Sequence, residues 1–265
     1  MKILALSLCL FIIASVCAAE ETDYFDWKGG KLVAAKNYTG ALIYFDKAIN
    51  QDPNFINAYV HKGDMQRTQK DYNASLETYT EALQRDNKTK AAWSGMIQDY
   101  VALNDYPKAS DAAAKITEIE PKTKENWLTL GNLLQTQGLY DAAAEKYSSA
   151  LDIDPKYKDA LYRKGISLMA MSNNTGAIEL FDQVLAIDAN YTQADNAKGL
   201  VLEAEGKYAD ALAAYDNGSK IDPNWSLPVV NEINSLFAQG KPNEAMKIFV
   251  TVCYGQRCSN APVGI

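Results

Sequence analysis

From Thr22 onward the apolar residues recur at helical spacing, in two segments per 34 residues separated by short polar turns. In residues 124–157, KENWLTLGNLLQTQGLYDAAAEKYSSALDIDPKY, Trp127, Leu130, Gly131 and Leu134 fall on a first predicted helix. Ala143, Tyr147 and Ala150 follow at i, i+4 and i+7 on a second. Pro53, Asn87, Pro121, Pro155, Ala189 and Pro223 stand 34 residues apart. Gly29, Gly63, Gly131, Gly165 and Gly199 form another column, with Ile97 where glycine is missing. Small residues recur at Ala41, Ser75, Ala109, Ala143, Ala177, Ala211 and Ala245, and rings at Phe45, Tyr79, Tyr147, Phe181, Tyr215 and Phe249, broken by Ala113. A second aromatic column runs Tyr38, Tyr72, Tyr106, Tyr140 and Tyr208.

Each column answers a packing demand. Glycine inside a helix costs about 1 kcal/mol relative to alanine. Its recurrence predicts a close approach of two backbones, glycine facing alanine, with the large ring filling the gap beside them. Proline after the second helix, as in Asp154-Pro155 and Asp222-Pro223, stops it. Pro107 and Pro242 instead fall in the first turn of a second helix, where a missing N–H does no harm.

This pattern resembles the tetratricopeptide repeat, whose signature is W-x2-L-G-x2-Y, then A-x3-F, then A and P. Residues 124–157 carry it as Trp127, Leu130, Gly131, Ala143, Tyr147, Ala150 and Pro155, with Leu134 in place of the first tyrosine. Repeats 22–55, 56–89, 158–191 and 192–225 match at fewer columns, and 90–123 keeps Trp93, Tyr100 and Pro121 without the glycine. Residues 226–255 keep Ala245 and Phe249 and otherwise depart, as a degenerate cap does, ahead of a 256–265 tail. The resemblance implies an all-α, right-handed α-solenoid of six to seven helix-turn-helix repeats.

By the same resemblance, first-helix positions 2, 5, 9 and 12 line a concave groove. Those columns place Asp64 and Arg67, then Gln98, then Asn132 and Gln135, then Tyr162, then Asn196 and Glu203 along it. Amides of this kind suit an extended peptide whose backbone they hydrogen-bond, with Tyr162 as aromatic anchor. The alternative reading is a set of solvated residues on exposed helix faces. The Lys, Asn and Arg clamp with which some members of the family hold a C-terminal carboxylate is absent: Val60 and Asp64, or Leu128 and Asn132, stand there without the lysine. The expected function is therefore a non-catalytic scaffold for a protein or peptide partner; an envelope spacer with an empty groove is the other reading.

The N-terminus, MKILALSLCLFIIASVCAAEE, has Lys2, an apolar run from Ile3 to Val16, and small residues Ala18 and Ala19. It reads as a signal peptide over residues 1–19, cut after Ala18 or Ala19, which places the body of the chain outside the cytoplasm. An uncleaved anchor helix is the competing reading and the only route to a membrane; a lipid-bearing Cys17 is disfavoured by the bulk of Val16. Removal of that segment leaves Cys253 and Cys258, an even pair expected to form a disulfide if Gly255 permits a turn. Seven N-x-S/T triplets, at Asn37, Asn73, Asn87, Asn173, Asn190, Asn217 and Asn224, are glycosylation acceptors, all but Asn217 expected in turns.

A net charge of −7, with Lys and Arg scattered singly, gives no electrostatic footprint for nucleic acid. No catalytic, cofactor or metal motif is present: two thiolates supply half a zinc site. His61, the single histidine, lies three residues before Asp64 and reads as an exposed imidazole beside a solvated carboxylate.

Overall fold

The computed structural model describes residues 19–222 and 226–259, and those residues form helices with no strand among them. The first helix, α1, covers residues 19–34. It is followed by α2 (Tyr38–Gln51), α3 (Ile56–Thr68), α4 (Tyr72–Arg85), α5 (Lys90–Ala102) and α6 (Tyr106–Ile119). Then come α7 (Lys124–Thr136), α8 (Tyr140–Ile153), α9 (Lys158–Ala170), α10 (Asn174–Ile187), α11 (Thr192–Ala204) and α12 (Tyr208–Ile221). The last pair is α13 (Ser226–Ala238) and α14 (Pro242–Ser259).

The chain divides between Lys122 and Thr123 into two compact units, unit 1 holding α1 to α6 and unit 2 holding α7 to α14. Packing inside each is local. In unit 1, α3 meets its hairpin partner α4 and the equivalent first helix α5; in unit 2, α9 meets α10, α7, α8 and α11. Stacked helix hairpins of this kind are an all-α solenoid, in which each pair buries its apolar face on its neighbours.

The glycine column has a more specific cause than close backbone approach. A Cβ built on Gly63 would lie 2.6 Å from the Tyr79 ring, and on Gly131 2.5 Å from Tyr147. Gly29, Gly165 and Gly199 meet Phe45, Phe181 and Tyr215 in the same way. The ring lies directly on the glycine, so the correction to the sequence reading is that the aromatic column, rather than the alanine column, excludes a side chain there. Two exceptions obey the same rule. In the third repeat Ala113 replaces the ring, and the glycine slot holds Ile97, 9% exposed. In the last repeat Ile233 occupies the glycine slot, and Phe249 is turned out, 51% exposed.

First helices end on one recurrent turn. Lys36, Lys70, Asn104, Gly138, Ser172, Gly206 and Gly240 all have positive φ and stand 34 residues apart. The next residue's N–H bonds five back, as from Asp71 to Gln66 (3.0 Å) and from Asn173 to Leu168 (2.9 Å), which satisfies carbonyls a helix end leaves open. The second helix then starts under an N-cap: Asn37, Asp71, Asp105 and Asn173 accept from the N–H three residues on. Pro107 sits in the first turn of α6 and Pro242 opens α14. Because all of these turns share one backbone geometry, the first helices start at the same repeat position within each unit.

Candidate functional site

In unit 1 the groove positions of the first repeat, Asp23, Asp26, Gly30 and Val33, line a cleft of about 570 Å3. Trp27 and Lys31 of α1, Phe45 of α2, and His61 and Asp64 of α3 complete its walls. Trp27 is 56% exposed, and the Lys31 ammonium stands 5.7 Å from the centre of its ring. His61 does not partner Asp64: its Nδ1 is 2.8 Å from Asp26 Oδ1, on the facing helix. That hydrogen bond holds the imidazole above its ordinary pKa against the opposing effect of burial. The imidazole is exposed, as the sequence suggests, and the carboxylate that bonds it stands 35 residues away.

Deeper in unit 1, three of the expected groove residues are joined. Arg67 donates to Asp64 at 2.6 Å and to the Gln98 side-chain carbonyl, and the Tyr79 hydroxyl donates to Asp64 at 2.7 Å. Behind them lies Asp99, fully buried, with Arg67 Nε 3.9 Å from its Oδ1. Neither Asp99 oxygen nor Arg67 Nε has a hydrogen-bond partner among the described residues. Burial pushes the Asp99 carboxyl up to about 6, with the neighbouring Ser75 hydroxyl and then Arg67 opposing.

Unit 2 repeats the arrangement with neutral amides around Tyr147 and a carboxylate at Tyr215. The Tyr147 hydroxyl is 2.9 Å from Asn132 Oδ1 and 3.1 Å from Gln135 Oε1, and burial pushes it up to about 12. Gln135 Nε2 reaches the buried Ser167 hydroxyl at 3.3 Å. Glu203 accepts from Tyr215 at 2.8 Å. Asn196, expected on the groove surface, is buried and accepts from Asn231 of α13 at 2.8 Å, so the sequence placement of that residue is corrected. Tyr162 is half-buried, its ring 6.0 Å from Phe181 and 5.4 Å from Tyr191.

A 68-residue period, missed in the sequence, organises these contacts. Arg67, Gln135 and Glu203 occupy one column; Tyr79, Tyr147 and Tyr215 a second; the buried Asp99, Ser167 and Ser235 a third. Where the ring is Phe45 or Phe181 no hydroxyl is available, and position 12 of those repeats is Val33 or Met169. The choice between tyrosine and phenylalanine in the aromatic column was the available signal.

Among the acceptor triplets, Asn37, Asn73, Asn87, Asn173, Asn190 and Asn217 are all exposed. Asn73 lies in the first turn of α4 rather than in the preceding turn, because Asp71 caps the helix ahead of it. Asn217, on α12, donates to the buried Asp195 at 2.9 Å. Asn224 and residues 1–18 lie outside the described residues, as do the side chains of Cys253 and Cys258; the backbone of α14 runs helical through Gly255. No described helix is long and apolar enough to cross a membrane.

Comparison with known proteins follows the same lines. No curated sequence relative matches the chain. Among solved structures, a tetratricopeptide repeat protein from Parabacteroides merdae aligns at TM-score 0.61 and 18% identity, covering 88% of this chain and 92% of its own. YrrB, described as a TPR protein with an unusual peptide-binding site, aligns at 0.59 and 20%, covering 70% and 95%. MamA from Desulfovibrio magneticus aligns at 0.57 and 17%, covering 65% and 97%. A sequence profile described as tetratricopeptide repeat matches residues 66–133 and 134–201, just over half of the chain. With its hairpins, its ring-on-glycine packing and that match, the chain belongs to the tetratricopeptide-repeat family.

Proposed function

We propose that this protein is a non-catalytic interaction scaffold that works outside the cytoplasm and binds a peptide or extended protein segment on the groove side of its first helices. Proteins of the family are generally non-catalytic scaffolds, and the fold supports protein interaction as the coarse function. The observation that carries the finer reading is the unit 1 cleft, whose wall is made of the groove positions of the first repeat together with an exposed tryptophan. YrrB, similar in fold, is described as having a peptide-binding site.

The location rests on the N-terminal sequence, with cleavage after Ala18 or Ala19. Intact-mass measurement of protein from its native host tests that cleavage, the sugars on the asparagines and the Cys253–Cys258 bridge together. In a continuous helix two residues five apart rise about 7.5 Å along the axis, beyond the span of a disulfide. An oxidised pair therefore requires the end of α14 to unwind.

Selection of random displayed peptides on the purified protein tests the groove. Enriched peptides should lose affinity for Trp27→Ala and Gln98→Ala proteins. One observation favours a spacer with an unused groove instead: in unit 2, Asn132, Gln135, Asn196 and Glu203 are all hydrogen-bonded within the protein. A spacer would enrich no peptide at all.

A further inference from the structure

Resting on the groove reading, the chemistry of the unit 1 cleft assigns a partner class. We propose that this cleft receives an arginine side chain of the bound segment, its guanidinium laid on Trp27 and paired with the carboxylates of Asp23, Asp26 and Asp64.

The charges that face the cleft are unequal. Asp23, Asp26 and Asp64 line it, against the Lys31 ammonium and the imidazole of His61, and Asp64 is paired from behind with the Arg67 guanidinium, which leaves Asp23 and Asp26 as the principal charge for a ligand. The recorded hydrogen bonds of Asp26 and Asp64 fall on Oδ1, from His61 in one case and from Arg67 and Tyr79 in the other. The second oxygen of each carboxylate remains able to accept. Asp23 is exposed on the same helix.

The aromatic wall adds the second condition. Trp27 is 56% exposed and already carries a cation, Lys31, above its ring. A tryptophan face attracts cations through its quadrupole, and a planar guanidinium both stacks on it and presents paired donors to carboxylates. A lysine ammonium offers the charge without the stacking. An acidic side chain is repelled, and an aliphatic one leaves the carboxylates without a gain to offset their lost hydration. Val33 and Ala34 line the cleft with part of their surface open, so the stem of a long side chain has an apolar surface to lie on.

Isothermal titration of the full-length protein with blocked hexapeptides, identical except for a central Arg, Lys, norleucine or Glu, tests this. The Arg peptide should bind tightest, Lys about threefold to tenfold weaker, and norleucine and Glu weaker still. Asp23→Asn and Trp27→Ala, both at exposed positions, should each weaken the Arg peptide about threefold to tenfold, with thermal melts unchanged. Equal binding of the norleucine or Glu peptide, or full affinity in both variants, overturns the assignment while leaving a groove ligand of another chemistry intact. Absence of Arg-peptide binding overturns it too; if the random-peptide selection is also empty, the groove reading falls with it.

Discussion

Arg67 in unit 1 and Gln135 in unit 2 stand 68 residues apart, and each reaches from a first helix to a buried polar residue of the following repeat. In unit 2 the target is Ser167, and the amide, the serine hydroxyl and Tyr147 satisfy one another. In unit 1 the target is Asp99, in a slot that Met65, Leu133 and Val201 fill in other repeats. The same scaffold thus holds a neutral, satisfied cluster in one place and a buried carboxylate short of donors in another. A carboxylate removed from water without completed hydrogen bonds is a poor source of stability. The difference identifies the unit 1 cluster as the weaker of the two.

The largest expected effect tests what the two units share. Gly63→Ala and Gly131→Ala push a methyl group into a buried ring, and each should lower stability by about 3 kcal/mol in denaturant titrations. Gly30→Ala, with open space around its Cβ, is the control and should hold or gain. A Gly131→Ala protein as stable as its parent would remove the ring-on-glycine account.

Asp99→Ser gives unit 1 the chemistry of unit 2 and should raise stability by about 2 kcal/mol at pH 8. The folded protein holds the Asp99 proton to about pH 6, above the ordinary carboxylate value of 3.8. Stability from this group is therefore complete below about pH 4 and is lost as pH rises through 6. Melting curves of the parent should show that decline between about pH 4 and 7, and the variant a shallower one over the same range; an unchanged slope would place the titration elsewhere.

Smaller still, Tyr147→Phe removes the hydroxyl that joins Asn132 and Gln135 and should cost about 1 kcal/mol. Tyr79→Phe should cost no less, since its acceptor is the carboxylate that also takes the Arg67 guanidinium. If the unit 1 change proves cheaper, the charged cluster gains nothing from its tyrosine. Least of all, Ser172→Gly relieves a left-handed residue at a turn where Gly138 already stands one repeat earlier, a gain of about 0.5 kcal/mol. A loss there would show that Ser172 serves the turn by some other contact.

Helix pairing, register and the ring column were legible in the sequence because packing imposes them on every repeat, so each column is sampled several times. The glycine column was legible as a constraint, yet its cause needed coordinates, since alanine and ring recur at the same period. The polar clusters were hidden for a related reason. Reading Phe45 and Tyr79 as one aromatic column discards the hydroxyl that decides whether position 12 is Val33 or Arg67. Asn196 was misplaced because α13 of a degenerate repeat brings Asn231 over it, which no consensus column anticipates. Asp26 was paired with nothing, because its partner His61 belongs to the next hairpin. Of the cleft, the sequence supplied the positions and the structure supplied the tryptophan.

The locality of the packing has a kinetic consequence. Side-chain hydrogen bonds between hairpins join residues about one repeat apart, as from His61 to Asp26 and from Asn231 to Asn196, each spanning 35 residues. No distant segment has to be found before a repeat can settle, so the loop-closure entropy that slows sheet proteins is small here. Each hairpin can complete its contacts as soon as the next one leaves the ribosome, and the growing chain need expose little more than its most recent apolar face to the surrounding solution.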